Sequence, residues 1–282
     1  MPARASSKNH TPVSSAQIRA FRKKVLAYYA RHGRDLPWRK RVTPFRVLIS
    51  EIMLQQTQVD RVIAKFQEFL AAFPGFAQLA EAPLPMLLSI WSGMGYNRRA
   101  LALKKLAQVV VDEHRGRLPS DPEALKKLPG IGPYTAGAIA AFAFNNPVVF
   151  MDTNIRRVFI HEFFAGRAQV HDDELLPLVE RALDRKDPSR WYNALMDYGT
   201  MLKKEHGNPN RRSMHYIRQS PFENSNRQVR GAILKVLVKG RELTAAQIAE
   251  EAGVDPKRVE QNLSRLADEG FLNRRGKRFM IQ

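Results

Sequence analysis

Residues 128–144 read LPGIGPYTAGAIAAFAF, and the way this run folds decides the rest of the chain. Gly130 and Gly132 bracket Ile131 behind Leu128-Pro129, and a run of small and apolar residues opens at Pro133. That order predicts a tight turn between two short helices, the second starting on a proline. Such a turn presents successive backbone N–H groups at a helix N-terminus, a phosphate site that needs no charged side chain. A Gly-x-Gly turn alone is more often a plain helix connection. Leu-Pro before it and Thr-Ala-Gly-Ala after it make the signal more specific.

Outward from the turn, the spacing of apolar residues predicts helix after helix. Ile18, Phe21, Val25 and Tyr28 open one, and Thr43-Pro44 starts another. Further helical runs cover residues 59–72, 84–92, 97–114, 121–128, 133–144, 153–164, 172–184 and 189–204. After Leu202 the chain turns polar and basic, which reads as a linker or a loop lying on the surface. Three short helices are then expected over 227–238, 244–251 (with Thr244 as N-cap) and 255–268, followed by a hairpin around Arg275-Gly276. This order resembles a winged helix, whose third helix commonly enters a DNA major groove. Lys257, Arg258, Gln261 and Arg265 are the side chains it would present there. The alternative is that the segment docks on the main domain or on a protein partner. The expected division is a disordered arm over 1–15, a helical domain over 16–204, a basic linker over 205–224 and the winged-helix-like domain over 225–282.

Composition limits the function. The 282 residues carry a net charge of +19 at pH 7, which suits a polyanionic partner, nucleic acid or an acidic membrane surface. There is no cysteine, so disulfides, thiol nucleophiles, zinc–thiolate sites and cysteine-ligated iron–sulfur clusters are excluded. No apolar run approaches the roughly 18 residues that span a bilayer. The N-terminal stretch has no hydrophobic core of the secretory kind, so a cytoplasmic, nucleoid-associated location is expected.

Two carboxylates stand out. In ISEIMLQQTQV (49–59), Glu51 sits on or beside the apolar face of its helix, where apolar neighbours favour the neutral acid; a buried ion pair with an arginine is the other reading. In VVFMDTNIRRV (148–158), Asp152 follows a hydrophobic run and precedes a helix. It is placed as an N-cap, whose capping bonds and helix dipole would lower its pKa and keep it ionised. Two carboxyls pushed apart in pKa can supply an acid and a stabilising anion in one site.

RDLPWR (34–39), SEIMLQQTQV (50–59), GMGYNRRA (93–100), LPGIGPYTAGAIAAFAF (128–144) and MDTNIRRV (151–158) occur together and in order. On these motifs, from about Phe21 to Leu202, the chain resembles the endonuclease III-like helix-hairpin-helix DNA glycosylases, and within them the MutY-type adenine DNA glycosylases. The resemblance implies an all-α, two-lobed fold, here followed by the small winged-helix-like α+β segment. It implies base flipping and monofunctional hydrolysis of an N-glycosidic bond, most simply at adenine opposite guanine or 8-oxoguanine.

Carried over, Glu51 protonates the departing purine and Asp152 stabilises the sugar cation, with Tyr134 and Asn154 assisting them. Gln56 and Tyr96 match residues that wedge into the duplex; Gly130, Gly132 and Thr135 hold its backbone, with Arg39 also on the DNA. Trp38, Leu54 and Thr57 shape the base pocket. No metal or cofactor is implied beyond a monovalent cation on the hairpin carbonyls near Leu128, Gly130 and Ile131. The expected partner is double-stranded DNA with a mispaired or damaged base, bound by a monomer, with no membrane. Tyr134 stands where bifunctional relatives place a Schiff-base lysine, so no strong strand cleavage is expected. The chain departs from the family in lacking the four cluster cysteines and the Nudix-like C-terminal domain that senses 8-oxoguanine. A mismatch thymine or uracil glycosylase remains an alternative, as does a catalytically silent DNA-binding regulator.

Overall fold

The computed structural model describes residues 13–218 and 221–282; residues 1–12, most of the expected N-terminal arm, lie outside the described residues. The helices are α1 (Ser15–His32), α2 (Pro37–Lys40), α3 (Pro44–Leu54), α4 (Val59–Ala72), α5 (Phe76–Glu81), α6 (Leu84–Trp91), α7 (Arg98–His114), α8 (Pro122–Lys126), α9 (Pro133–Phe144), α10 (Thr153–Phe163), α11 (Asp172–Ala182) and α12 (Pro188–Glu205). A 3-10 turn (Pro209–Arg212) leads to α13 (Asn226–Leu237), β1 (Leu243–Thr244), α14 (Ala245–Ala252), α15 (Pro256–Asp268), β2 (Leu272–Arg275) and β3 (Arg278–Ile281). The chain forms two compact units. One combines the residues up to Arg34 with Asn145–Ile217, the other Asp35–Phe144 with Arg218–Gln282.

In the first unit, α1 starts on a reciprocal cap between Ser14 and Gln17, which satisfies two of the helix's orphan donors. Its Phe21 ring meets Phe159, Phe163 and Trp191 edge-on at 5.2, 5.0 and 5.8 Å. These edge-to-face pairs add to the area the rings bury, and so fix α1 against α10 and α12. Residues 206–216, expected as linker, are tied down in this unit. Asn210 donates to the Thr153 carbonyl at 2.8 Å, Arg212 to the Phe164 carbonyl at 2.6 Å, and Val170 pairs with Ser213.

In the second unit, α9 is buried on all sides from Thr135 to Ala141, as its mostly apolar sequence requires. Around it, Trp38 packs edge-on against Phe66, Phe45 against Phe76 and Phe69 against Trp91. The C-terminal segment belongs to this unit. Its three helices carry an antiparallel sheet in the order β1-β3-β2, with Leu243 opposite Phe279 and Leu272 opposite Ile281. The hairpin turns at Gly276, whose φ of +58° suits a residue without Cβ. Glu269, after α15, takes forked hydrogen bonds from two arginines at once: Arg98 of α7 at 2.8 and 2.5 Å, and Arg230 of α13 at 3.0 and 2.5 Å. The Arg98 hydrogen bond, followed by that from Arg230, holds its carboxyl down at about 2. No helix among the described residues is long and apolar enough to cross a membrane.

Candidate active site

Two constellations, one in each unit, hold the four residues singled out for chemistry. In the second unit, Thr43 caps α3 and Pro44 opens it. Residues Val47 to Met53 are all buried, including Glu51 at 8% exposure. The carboxyl is partnered rather than stranded: the Tyr134 hydroxyl donates to its Oε2 at 3.1 Å. Tyr134 reaches it from the first turn of α9, directly after the glycine hairpin.

That hairpin is shaped by sterics. Gly130 has φ +78°, and a Cβ there would lie 2.8 Å from the Ala102 Cβ. Gly132 has neither constraint, and nothing lies within 4 Å of the position its Cβ would take. Thr135 is buried, and its hydroxyl accepts from Gln55 Nε2 at 3.1 Å, which joins the hairpin to the end of α3.

The turn after α3 carries Gln56 in a left-handed conformation (φ +55°), exposed to solvent. Tyr96, in the GMGY turn, is likewise left-handed (φ +47°). Such backbones are costly for residues with side chains and persist where the surroundings enforce them. Here the enforcing group is Arg99, which the sequence reading passed over. Its guanidinium donates to the carbonyls of Ile52, Met53 and Gln55 at 2.7, 3.0 and 2.6 Å, and to those of Met94 and Gly95 at 3.0 and 3.1 Å. It also reaches the Thr57 hydroxyl at 3.1 Å and lies over the Trp91 ring. One fork therefore caps the orphan carbonyls of α3 and locks both turns. Burial lowers its pKa to about 10, so it stays charged at neutral pH.

The remaining residues singled out in this unit are spread over it. Trp38 is buried on Phe66, whereas Leu54 and Thr57 are half-buried at the end of α3 and in the turn beyond. Arg39 is half-buried on α2. On α15, Lys257 and Arg265 are exposed, whereas Arg258 is half-buried and donates to the Asn224 carbonyl at 2.8 Å. Arg258 therefore also braces the segment through one of its guanidinium nitrogens.

In the first unit, Asp152 caps α10: Oδ1 accepts from the Ile155 N–H at 2.6 Å. Asn154 Nδ2 donates to Oδ2 at 3.0 Å, and Arg157 Nη1 fixes Asn154 by donating to its Oδ1 at 2.7 Å. Arg157 is itself buried and also donates to the Gly199 carbonyl at 2.8 Å. That carbonyl can come close because a Cβ on Gly199 would meet the Asn154 oxygen at 2.8 Å. Caps and dipole predict a lowered pKa for Asp152, and here the structure differs. Burial pushes it up and outweighs the opposing pulls of the Ile155 and Asn154 bonds and the Arg157 charge.

No cluster of histidines and carboxylates suited to a metal occurs among the described residues. Where the resemblance places four cluster cysteines, the chain reads LKKEHGNPNRRSMHY, and side-chain hydrogen bonds from Asn210 and Arg212 close that loop onto α10. A cysteine-ligated cluster has no ligands here.

Known proteins resemble this chain in sequence and in fold. Residues 49–177 match the HhH-GPD superfamily base excision DNA repair protein model. An adenine DNA glycosylase of Buchnera aphidicola is 36% identical over 184 residues, 64% of this chain and 52% of that protein. One of Mycobacterium tuberculosis is 44% identical over 135 residues, 48% and 44% of the two chains. The chain thus spans about half the length of these curated relatives. A solved thermostable thymine-DNA glycosylase superposes with a TM-score of 0.61 at 28% identity, over 66% of this chain and 87% of its own. Over residues 49–177 the chain is thus similar to the HhH-GPD superfamily base excision DNA repair proteins, and over 184 residues to an adenine DNA glycosylase.

Proposed function

We propose that the protein is a monofunctional DNA glycosylase that releases adenine mispaired with guanine or 8-oxoguanine. The observation that carries the reading is Glu51, a buried acid on α3 that accepts a hydrogen bond from Tyr134 at the hairpin. Tyr134 donates to one carboxyl oxygen and so orients the acid that is proposed to protonate the leaving base. In the reaction proposed, Glu51 gives that proton to the purine N7. The C1′–N9 bond breaks with its electron pair going to the base, and the Asp152 carboxylate stabilises the sugar cation. Water then attacks C1′ and returns a proton to Glu51, so the acid is regenerated. Tyr134 has no amine to form a Schiff base, which favours hydrolysis without strand cleavage.

Double-stranded DNA is the proposed substrate, and the chain the proposed catalytic monomer. Gln56 and Tyr96 are the proposed duplex wedges, and the hairpin N–H groups at Gly130–Gly132 the proposed phosphate contact, with a monovalent cation on the facing carbonyls. The similarity to a thymine-DNA glycosylase supports a second reading, in which the released base is a mispaired thymine or uracil. Base release from A:8-oxoguanine, A:G, T:G and U:G duplexes, followed by alkali to cleave abasic sites, separates the two. The expected result is cleavage of the adenine strand alone. Release of thymine only would replace the first reading by the second, and no release from any duplex would sink both.

A further inference from the structure

Beside the wedge turns, and wholly within the second unit, lies a cavity of about 540 Å³ walled by the GMGY turn and by α13 and α15. Three features of its wall lack an explanation in the fold. Asn262 of α15 is 2% exposed and lines the cavity, yet its Oδ1 has no hydrogen-bond partner. The orientation of this amide is settled, because its Nδ2 donates to the Arg258 carbonyl at 2.8 Å. A buried acceptor left open costs free energy unless something supplies a donor. Arg99 also lines the cavity, and its Nε is a buried donor without an acceptor. Finally, Gly231 stands mid-helix in α13, where glycine is unfavourable, and a Cβ there would meet nothing within 4 Å. No packing demand accounts for it, and its effect is to keep the cavity open.

The chemistry of the walls selects the occupant. An unsatisfied acceptor and an unsatisfied donor call for a ligand with both N–H and lone-pair edges. The Arg227 guanidinium, on the cavity wall and over the Tyr96 ring at 5.2 Å, is a planar cation of the kind on which a base can stack. Arg265 and Lys235 on the rim are exposed and have no carboxylate partner among the described residues, whereas Arg98 and Arg230 are neutralised by Glu269. The volume lies within the range of small-ligand pockets. We propose that this cavity is a nucleotide pocket, taking one base with its phosphate on the Arg265–Lys235 rim and the base edge on Asn262. Such a nucleotide can come free from solution or from an unpaired position in a DNA strand.

Binding, not base release, tests the idea, so its failure and that of the glycosylase reading are distinguishable. The full chain is titrated with adenosine and guanosine monophosphates, and with a duplex holding one unpaired nucleotide against its fully paired control. Gly231→Leu fills the cavity while raising helix propensity, and Asn262→Leu removes the open acceptor at similar volume. Both variants are checked for folding by circular dichroism. The expected result is a preference for the unpaired over the paired duplex, or saturable monophosphate binding, of about tenfold, abolished in both variants with paired-duplex affinity kept. Monophosphate binding identifies a free nucleotide as the source, and duplex preference alone identifies the strand. Absence of both in the wild-type chain, or their persistence in folded Gly231→Leu, would overturn the proposal.

Discussion

At the scale of single residues, Asp152 gives the sharpest test. Replacing it with Asn removes the anion, so base release should fall by on the order of a hundred-fold or more. Duplex affinity should stay within a few-fold, because phosphate contacts and helix N-termini carry most binding. Single-turnover release beside an equilibrium binding curve checks both, and near-normal release by Asp152→Asn would refute the mechanism. The pH dependence follows from the direction of its shift. Burial raises the folded pKa of Asp152, so between the ordinary value of about 3.9 and that raised value the group is protonated and cannot stabilise a cation. Activity should therefore rise with pH along a limb that lies above the usual aspartate range. A limb centred on an ordinary aspartate value would contradict the burial effect. The cap at Asp152 was legible in MDTNIRRV, since the residue type and the helix start are local. Its upward shift was not, because desolvation depends on what distant segments pack around the carboxyl.

Secondary-structure elements were legible where their signals are local, and obscure where they depend on contacts across the fold. The proline at the head of α9 and the Thr244 cap of α14 place those helices to within a residue. The two-residue strand β1 carries no periodicity at all, and exists because Leu243 finds Phe279 across the sheet. Arg99 is the larger omission. It lies in the helix α7 that the apolar spacing indicates, but the carbonyls it caps are more than forty positions away in the chain. Arg99→Leu should leave those carbonyls short of partners and destabilise the protein by about 3 kcal/mol, measurable by urea unfolding. Lysine should rescue little, since a point charge cannot replace the planar fork. Loss of less than about 0.5 kcal/mol in either variant would mean that the turns hold without it. The hairpin glycines separate two roles. Gly130→Ala should cost roughly 1–3 kcal/mol, from its left-handed backbone and the approach of Ala102. Gly132→Ala should be neutral for stability but weaken duplex binding, by projecting a methyl group where a phosphate would sit. Equal melting temperatures for the two variants would show that the strain argument fails.

For the whole molecule, charge is the property that composition revealed and structure redistributed. Of the cations on the C-terminal segment, Arg258 serves the Asn224 carbonyl, Arg274 the Gly276 carbonyl, and Arg275 the Glu242 carboxylate. Lys257, Arg265 and Lys277 are among the exposed cations left for a polyanion. Replacing these three with Gln should flatten the log–log salt dependence of duplex binding by roughly 2–3, at about 0.9 per phosphate neutralised. An unchanged slope would remove this segment from the DNA interface. Glu269 sets the pH range of the segment's attachment. Its folded pKa of about 2 lies below the ordinary glutamate value of about 4.3, so its stabilising contribution is complete above that value and lost as pH falls through 2. Glu269→Gln should therefore lower the melting temperature at pH 7, by an amount that shrinks steadily as pH falls toward 2. The course of the backbone through the two units has a further consequence. The polypeptide passes from one unit to the other at 34/35, at 144/145 and again at 217/218. Neither unit is a contiguous stretch of the gene product, so neither can finish folding on the ribosome before the residues of the other have begun to emerge. A protease that nicks the middle junction, 144/145, frees no half; it leaves two fragments that each contribute to both bodies and co-migrate until denaturant parts them. Exchange of the C-terminal segment between relatives would likewise rebuild a unit shared with α2 to α9, and not swap a detachable tail.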